Sequence, residues 1–310
     1  MLSVKETNMN GSIHRYFKVG LIHFMAFPET MKGEGPILET LKKILVDDYF
    51  DAIEVTHIAD EVVRAQAKKL LEQSHMTVCY GAQPRLLTSG LNPNDLDEQG
   101  RQKAEDILMD SIDEAEFLGA KGIAFLSGKW CPDRKDECYA QLLKTTKNLC
   151  KYAATKGMNV ELEVFDYDFD KASLIGPAPY AVQFAADVRM EFSNFGLLAD
   201  LSHFPQTYET ARFAIGLMRP YITHLHIGSA VMEEGAIARG DTHPRFGFPK
   251  GVNDVAEVLD FLQICKSEQL FCEKDPMVMS FEVKPWGDED PEIVIANAKR
   301  VLNRAARELM

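Results

Sequence analysis

Residues 159–166 read NVELEVFD, a run that opens on alternating apolar positions and closes on acids. Just before it, TKG at 155–157 carries the Lys-Gly signal of a helix ending ahead of a strand. The same pattern recurs downstream in FGLLADLSH (195–203), ITHLHIG (222–228) and MVMSFEVKP (277–285). Each run is apolar or β-branched, and polar residues enter near its C-terminal end: Glu163, Asp200, His226 and Glu282. A parallel barrel assembles its active site at that end, from separate strands. The four side chains are therefore read together as one divalent-metal site.

Outward from these runs, strands and helices alternate along the chain. Eight strands are expected, at 17–24, 52–58, 77–82, 122–128, 159–165, 195–203, 222–228 and 277–285. Between them, stretches such as ADEVVRAQAKKLLEQ and QKAEDILMDSIDEAEFLGA repeat apolar residues every three or four positions, as amphipathic helices do. Eight such units close most simply into an α/β fold of the (β/α)8 TIM barrel type, a single domain over 16–310 behind a flexible arm at about 1–15. A doubly wound open sheet is the competing arrangement. It lacks the dinucleotide glycine fingerprint after the first strand, where GLIHFMAFPETMKGEGP stands, and leaves acids at so many strand ends unexplained. Long insertions follow the first, third, fourth and seventh strands, so all fall on one rim and roof the C-terminal mouth.

Composition limits the partners. A net charge of −13 argues against nucleic acid, because binding a phosphate backbone relies on Lys and Arg displacing counterions. The N-terminal MLSVKETNMNGSIHR has no hydrophobic signal core, and no apolar run approaches the ~18–20 residues of a membrane span. The six cysteines form no CxxC pair, so neither a disulfide framework nor a zinc-cysteine site is expected, and the reducing cytoplasm is the natural compartment.

Three carboxylates and one imidazole make an oxygen-rich donor set, suited to Mn²⁺, Mg²⁺ or Co²⁺. Taken singly, each strand-end acid also reads as a cap or a salt-bridge partner; their convergence on four consecutive strands favours metal. Glu161, two residues before Glu163 and on the same face, sits deeper and reads as a buried hydrogen-bonded acid, or as an outward one if the strand is irregular. Lys284 faces the same way as Glu282 and is a candidate to bind substrate oxygen or to form a salt bridge. His23 on the first strand, and Glu54 with His57 on the second, are candidate pocket residues, although a spacing of three needs an irregular strand to turn both inward. Trp130 and Phe248 are candidate stacking surfaces, with simple packing as the alternative.

Read as an ordered set, LEVFD, DLSH, HLHIG and FEVKP resemble the xylose isomerase-like TIM barrel superfamily of sugar isomerases, ketose 3-epimerases, inosose dehydratases and related lyases. The resemblance spans nearly the whole chain. It implies metal ligation by Glu163, Asp200, His226 and Glu282, with Mn²⁺ foremost, and proton exchange with a sugar by Glu163 and Glu282 through a metal-stabilised enediolate. It places His203 on a substrate oxygen, with fixing of the loop as the alternative. Where ketose 3-epimerases carry an arginine after the strand-seven histidine, this chain has GDTHPRFG, making Asp241, His243 and Arg245 candidate substrate contacts, with a turn cap for Asp241 and a surface position for Arg245 as the alternatives. Barrels of this superfamily often associate, which implies a homo-oligomer.

The runs GLIHFMAFPETMKGEGPILETLKKI, VFDYDFDKASLIGPAP and GDTHPRFGFPKGVNDV are also similar to the α subunits of bacterial C-glycoside deglycosidases. That likeness implies a lyase in which the enolate of a 3-keto sugar expels a carbon-linked aglycone, working with a small β subunit. Isomerase and lyase share their first step. A metal-dependent phosphodiesterase would want more histidine ligands and a basic groove, and a non-catalytic accessory subunit would cap its metal fully with protein.

Overall fold

A computed structural model describes residues 12–309, so residues 1–11 of the expected arm lie outside the described residues. Ser12 caps a short 3-10 turn, Ile13–Arg15, and Ile13 is buried in the main core.

Eight parallel strands close into a barrel in sequence order: β1 (Phe17–Ile22), β2 (Ala52–Val55), β3 (Thr77–Gly81), β4 (Gly122–Leu126), β5 (Asn159–Glu163), β6 (Phe195–Asp200), β7 (Ile222–Gly228) and β8 (Met277–Glu282). All eight begin where the sequence places them. Most end sooner, because the chain leaves the ladder as it turns to shape the mouth; after β1 it coils at once into the helix His23–Ala26. Five of the described helices start on side-chain caps that accept otherwise orphaned N–H groups: Asp60, Asp97, Thr210, Asp290 and Asp254, the last forming a reciprocal capping box with Glu257. No described helix is long and apolar enough to cross a membrane. All six cysteines are free.

Strand residues that face the helices carry the apolar core, among them Val19, Leu21, Ile53, Ile123, Val160, Leu162, Leu225 and Phe281, each fully buried. The opposite face, inside the barrel, departs from the usual filling of branched aliphatics. Gly20, Ala52 and Ser280 share one layer, and a side chain added at Gly20 would collide with the Ser280 hydroxyl. Space opened by these small residues is taken by Glu54, Glu161 and His224. A register shift between β6 and β7 supports this: Leu197 pairs Ile222 and Leu198 pairs His224, leaving Thr223 as the extra residue of a bulge. Both Thr223 Oγ1 and His224 Nδ1 then reach Glu161, at 2.7 and 3.0 Å.

The long loops all rise from the C-terminal ends of the strands. Sequence reading listed those after β1, β3, β4 and β7. The structure adds a fifth, residues 164–177, which follows β5 and reaches across to the β7 loop.

Candidate metal centre

Glu163, Asp200 and Glu282 are the last residues of β5, β6 and β8, and His226 on β7 pairs in register with Asp200. Strand geometry therefore brings together four positions far apart in the sequence. Their ligand atoms all lie within 4.8 Å of one another, and all four residues are buried. His226 Nδ1 faces the cluster, 2.8 Å from Glu282 Oε2 and 3.4 Å from Glu163 Oε1. Its other nitrogen, Nε2, lies 3.0 Å from Glu54 Oε1. Gln83 Nε2 donates to Glu163 Oε2 at 2.7 Å, while Glu163 Oε1 has no hydrogen-bond partner among the described residues. Asp200 accepts from the Ser202 hydroxyl at 2.6 Å and from the Ser202 amide at 2.8 Å.

Clustering these charges away from water shifts their protonation. Burial pushes the Glu282 carboxyl up and the Glu163 charge adds to it, so that His243 and His226 only partly offset them and it titrates at about 7. Burial works against a charged His226, yet Glu54, Glu163 and Glu282 outweigh it and raise its pKa well above the ordinary value. Burial also opposes ionisation of Asp200, but His203, His243 and His226 hold its pKa down. The arrangement could hold a cation: carboxylates crowd one point and one buried oxygen of Glu163 lacks a donor among the described residues. Its donor set suits a hard divalent ion. Glu54 would then take the usual place of a carboxylate that orients a metal-binding histidine through the other ring nitrogen.

A second ring of side chains surrounds this group. Asp241 Oδ1 accepts from His203 Nε2 at 3.1 Å, His243 Nε2 at 3.0 Å and Gln206 Nε2 at 2.9 Å, and its other oxygen pairs with Lys171 Nζ at 3.0 Å. Although burial opposes ionisation, His243, His203 and Lys171 hold Asp241 well below the usual carboxylate range. Burial depresses the two imidazoles, but Asp241 and its neighbouring carboxylates lift His203 to about 10 and His243 to about 9. His243 sits at φ 48°, the left-handed region that non-glycine residues seldom occupy, and its ring comes within 3.4 Å of Glu282.

These contacts revise several expectations. Glu54 is not a wall of the mouth: it lies beneath the cluster, accepting from both His224 Nε2 and His226 Nε2 at 3.0 Å. His23 is turned into the layer between barrel and helices, where it bonds Thr40 Oγ1 at 2.7 Å and burial lowers its pKa to about 3. His57 points outward to Glu114, so β2 needs no irregularity. Arg245 is held away from the cluster by Glu289 at 2.8 Å and by the carbonyls of Phe246 and Gly247. Trp130 donates to the Tyr167 carbonyl, and Phe248 packs against Trp286. Glu161 is the hydrogen-bonded, deeper acid that the sequence indicated.

A cavity of about 210 Å³ opens above the cluster, with Glu163, His226, His243, Glu282 and Lys284 on one side. Ile22, Phe24, Met25 and Met31 form an apolar wall on the other. Sequence reasoning missed Gln83, Lys171, Ser202 and Gln206, all of which touch the cluster or its surrounding ring. Only Ser202, inside DLSH, lay next to a residue already singled out.

A family model described as xylose isomerase-like TIM barrel matches residues 45–267. No curated protein matches the sequence. A D-tagatose 3-epimerase-like protein superposes with a TM-score of 0.70 at 15% identity, covering 95% of this chain and 100% of that one. D-psicose 3-epimerase with D-tagatose, from Clostridium cellulolyticum H10, gives 0.69 at 16% identity, with coverage of 94% and 99%. An IOLI protein with a binding zinc atom gives 0.67 at 17% identity, with coverage of 95% and 99%. At these identities the likeness is one of fold.

Proposed function

Because this chain belongs to the xylose isomerase-like TIM barrel family, we propose that it is a divalent-metal-dependent enzyme that moves a proton on the carbon beside a sugar carbonyl, in the manner of an isomerase or epimerase. The observation that carries this reading is the convergence of Glu163, Asp200, His226 and Glu282 on one point under the mouth cavity. In this reading the four side chains hold the ion, Mn²⁺ ahead of Mg²⁺ or Co²⁺. When bound, the ion supplies positive charge to offset the negative charge that develops on the substrate oxygens as the proton leaves.

Glu163 and Glu282 are the proton carriers. The Gln83 amide fixes one oxygen of Glu163 and leaves the other directed at the cluster, while His226 and His243 flank Glu282. Lys284 offers N–H donors to sugar hydroxyls from the rim of the cavity, while His243, engaged by Asp241 and Ser202, lies beside Glu282. Asp241 keeps His203 and His243 in place, so His203, with both ring nitrogens engaged by protein, acts by positioning. The wall of Ile22, Phe24 and Met25 keeps bulk water from the reacting carbon, so that the proton passes to a carboxylate.

Proton NMR in D₂O of the Mn²⁺-loaded protein with a panel of ketoses tests the proposal. Deuterium is expected beside the carbonyl of a rearranged sugar, and its incorporation is expected to stop in Glu163→Gln and in Glu282→Gln. A wild-type rate in either variant, with its metal content verified, removes that residue from the mechanism.

A further inference from the structure

Two histidines of β7 point into the barrel, and only His226 belongs to the metal cluster. His224, two residues earlier and one layer deeper, is buried between two carboxylates: its Nδ1 is 3.0 Å from Glu161 Oε2 and its Nε2 is 3.0 Å from Glu54 Oε1. Neither partner comes from a neighbouring strand. Glu161 lies on β5, with β6 between, and Glu54 lies on β2, with β8 and β1 between. No backbone ladder therefore sets these separations, and the side chains have to span them.

The intervening strands are cut back to allow it. On β6 the residue paired with Glu161 is Gly196, where a Cβ would collide with Thr223 Oγ1. On β1 and β8 the paired residues are Gly20 and Ser280, and a Cβ at Gly20 would strike the Ser280 hydroxyl. The result is a beam of side chains across the barrel, from β5 through β7 to β2. Glu54 Oε1 meets His224 and His226 at the same distance, 3.0 Å each, and the two imidazole planes stand 85° apart. Two N–H donors arriving from different directions fix where that oxygen lies, which in turn leaves His226 Nδ1 turned toward Glu163 and Glu282. A cavity of about 460 Å³ opens at the N-terminal ends of the strands and reaches Glu54, Glu161 and His224, so the beam is not sealed from below. Without His224, solvent from that side would compete for the Glu54 carboxylate.

We propose that His224, backed by Glu161, is a positioning residue of the metal centre: it acts through Glu54 to hold the His226 ring in the orientation that ligation by Nδ1 requires. The inference rests on the metal reading of Glu163, Asp200, His226 and Glu282 given above. Groups that orient a ligating histidine from behind are worth about 10–100-fold in metal affinity. His224 stands one bond further out than Glu54, and its effect has to pass through that carboxylate.

The test titrates Mn²⁺ by calorimetry into the full-length, metal-free protein: wild type, His224→Gln, His224→Ala and Glu161→Gln, with a melt of each to check folding. The His224 variants are expected to bind Mn²⁺ about tenfold or more weakly than wild type. Glu161→Gln keeps both shape and an acceptor oxygen, so it folds even where a His224 variant does not, and it is expected to show a smaller part of the same loss. Because His224 acts through Glu54, the double variant His224→Gln, Glu54→Gln is expected to bind Mn²⁺ within about threefold of Glu54→Gln alone. Folded variants whose dissociation constants all stay within about threefold of wild type overturn the inference, whatever their melting points, as does a double variant whose two losses multiply. In both of those cases Mn²⁺ binding by wild type leaves the metal reading standing. A wild type that binds no Mn²⁺ removes the metal reading, and this inference with it.

Discussion

Glu54→Gln isolates the carboxylate beneath the metal cluster. Glu54 is 1% exposed, and its Oε1 accepts from His226 Nε2 at 3.0 Å, while His226 Nδ1 faces the ligand group. The substitution keeps shape and an acceptor oxygen but removes the charge. Hydrogen bonds to charged groups contribute roughly 1.5–3 kcal/mol and neutral ones about 0.5–1.5, so weakening this one costs about 1–1.5 kcal/mol. Loss of a carboxylate that orients a metal-binding histidine lowers metal affinity by about 10–100-fold, or about 1.4–2.8 kcal/mol. The two routes overlap near tenfold. Calorimetric titration of Mn²⁺ into metal-free wild type and Glu54→Gln at one pH is expected to show at least that loss, and Glu54→Asp to recover part of it. A dissociation constant within about threefold of wild type refutes the reasoning. A purely structural role is distinguished by the melting curve of the metal-free protein, which in that case falls while metal affinity in the folded protein stays.

Three further outcomes are expected. Mn²⁺ at a hundred times its dissociation constant stabilises the fold by about 2.7 kcal/mol, which raises Tm by roughly 5 °C for a chain of this size; a melt that neither Mn²⁺ nor a chelator shifts excludes a metal bound in the folded state. Glu114 accepts from the buried Ile58 amide at 2.9 Å, the Tyr80 hydroxyl at 2.9 Å and His57 at 2.7 Å; burial opposes its ionisation, but His57 and the Ile58 amide lower its pKa overall. Its contribution is thus complete above the unfolded value of about 4.5 and is lost as pH falls through the depressed folded value, so Glu114→Gln, costing about 1–3 kcal/mol at pH 7 by urea unfolding, converges on wild type in acid. Gly196→Ala drives a methyl into Thr223 on the bulged side of β7 and is expected to cost about 1–3 kcal/mol; an unchanged midpoint shows that the bulge yields freely.

The fold was legible because each strand announces itself locally. A short apolar run needs no knowledge of its partner to be recognised, helix-stop signals such as those in LGAKGIAFL and TKGMNVELE mark several of them, and all eight strand starts agree with the structure. The four ligand candidates were legible for a related reason: a polar residue at the end of such a run is anomalous within its own segment. Strand direction alone placed Glu161 deeper than Glu163; what it could not show is the partner each residue meets. His224, on the same face as His226, bonds Glu161 and Glu54 below, while His226 reaches Glu282 at the mouth. Glu54 was misread as a pocket wall because its partners lie on β7, across the barrel and far along the chain. Lys171 gave no sequence signal, since a lysine in a polar loop is ordinary until the loop folds against Asp241.

The bulge at Thr223 and the small residues inside the barrel leave the interior to a connected series: Glu161 to His224, His224 to Glu54, and Glu54 to His226. That series divides the molecule into a part that tolerates redesign and a part that does not. Exposed residues at the mouth, such as Leu87 at 48% exposure, can be exchanged one at a time. The axis behaves as a single component. Filling it with branched aliphatics would strip His226 of the carboxylate bonded to its Nε2, and the proposed metal site would lose that support.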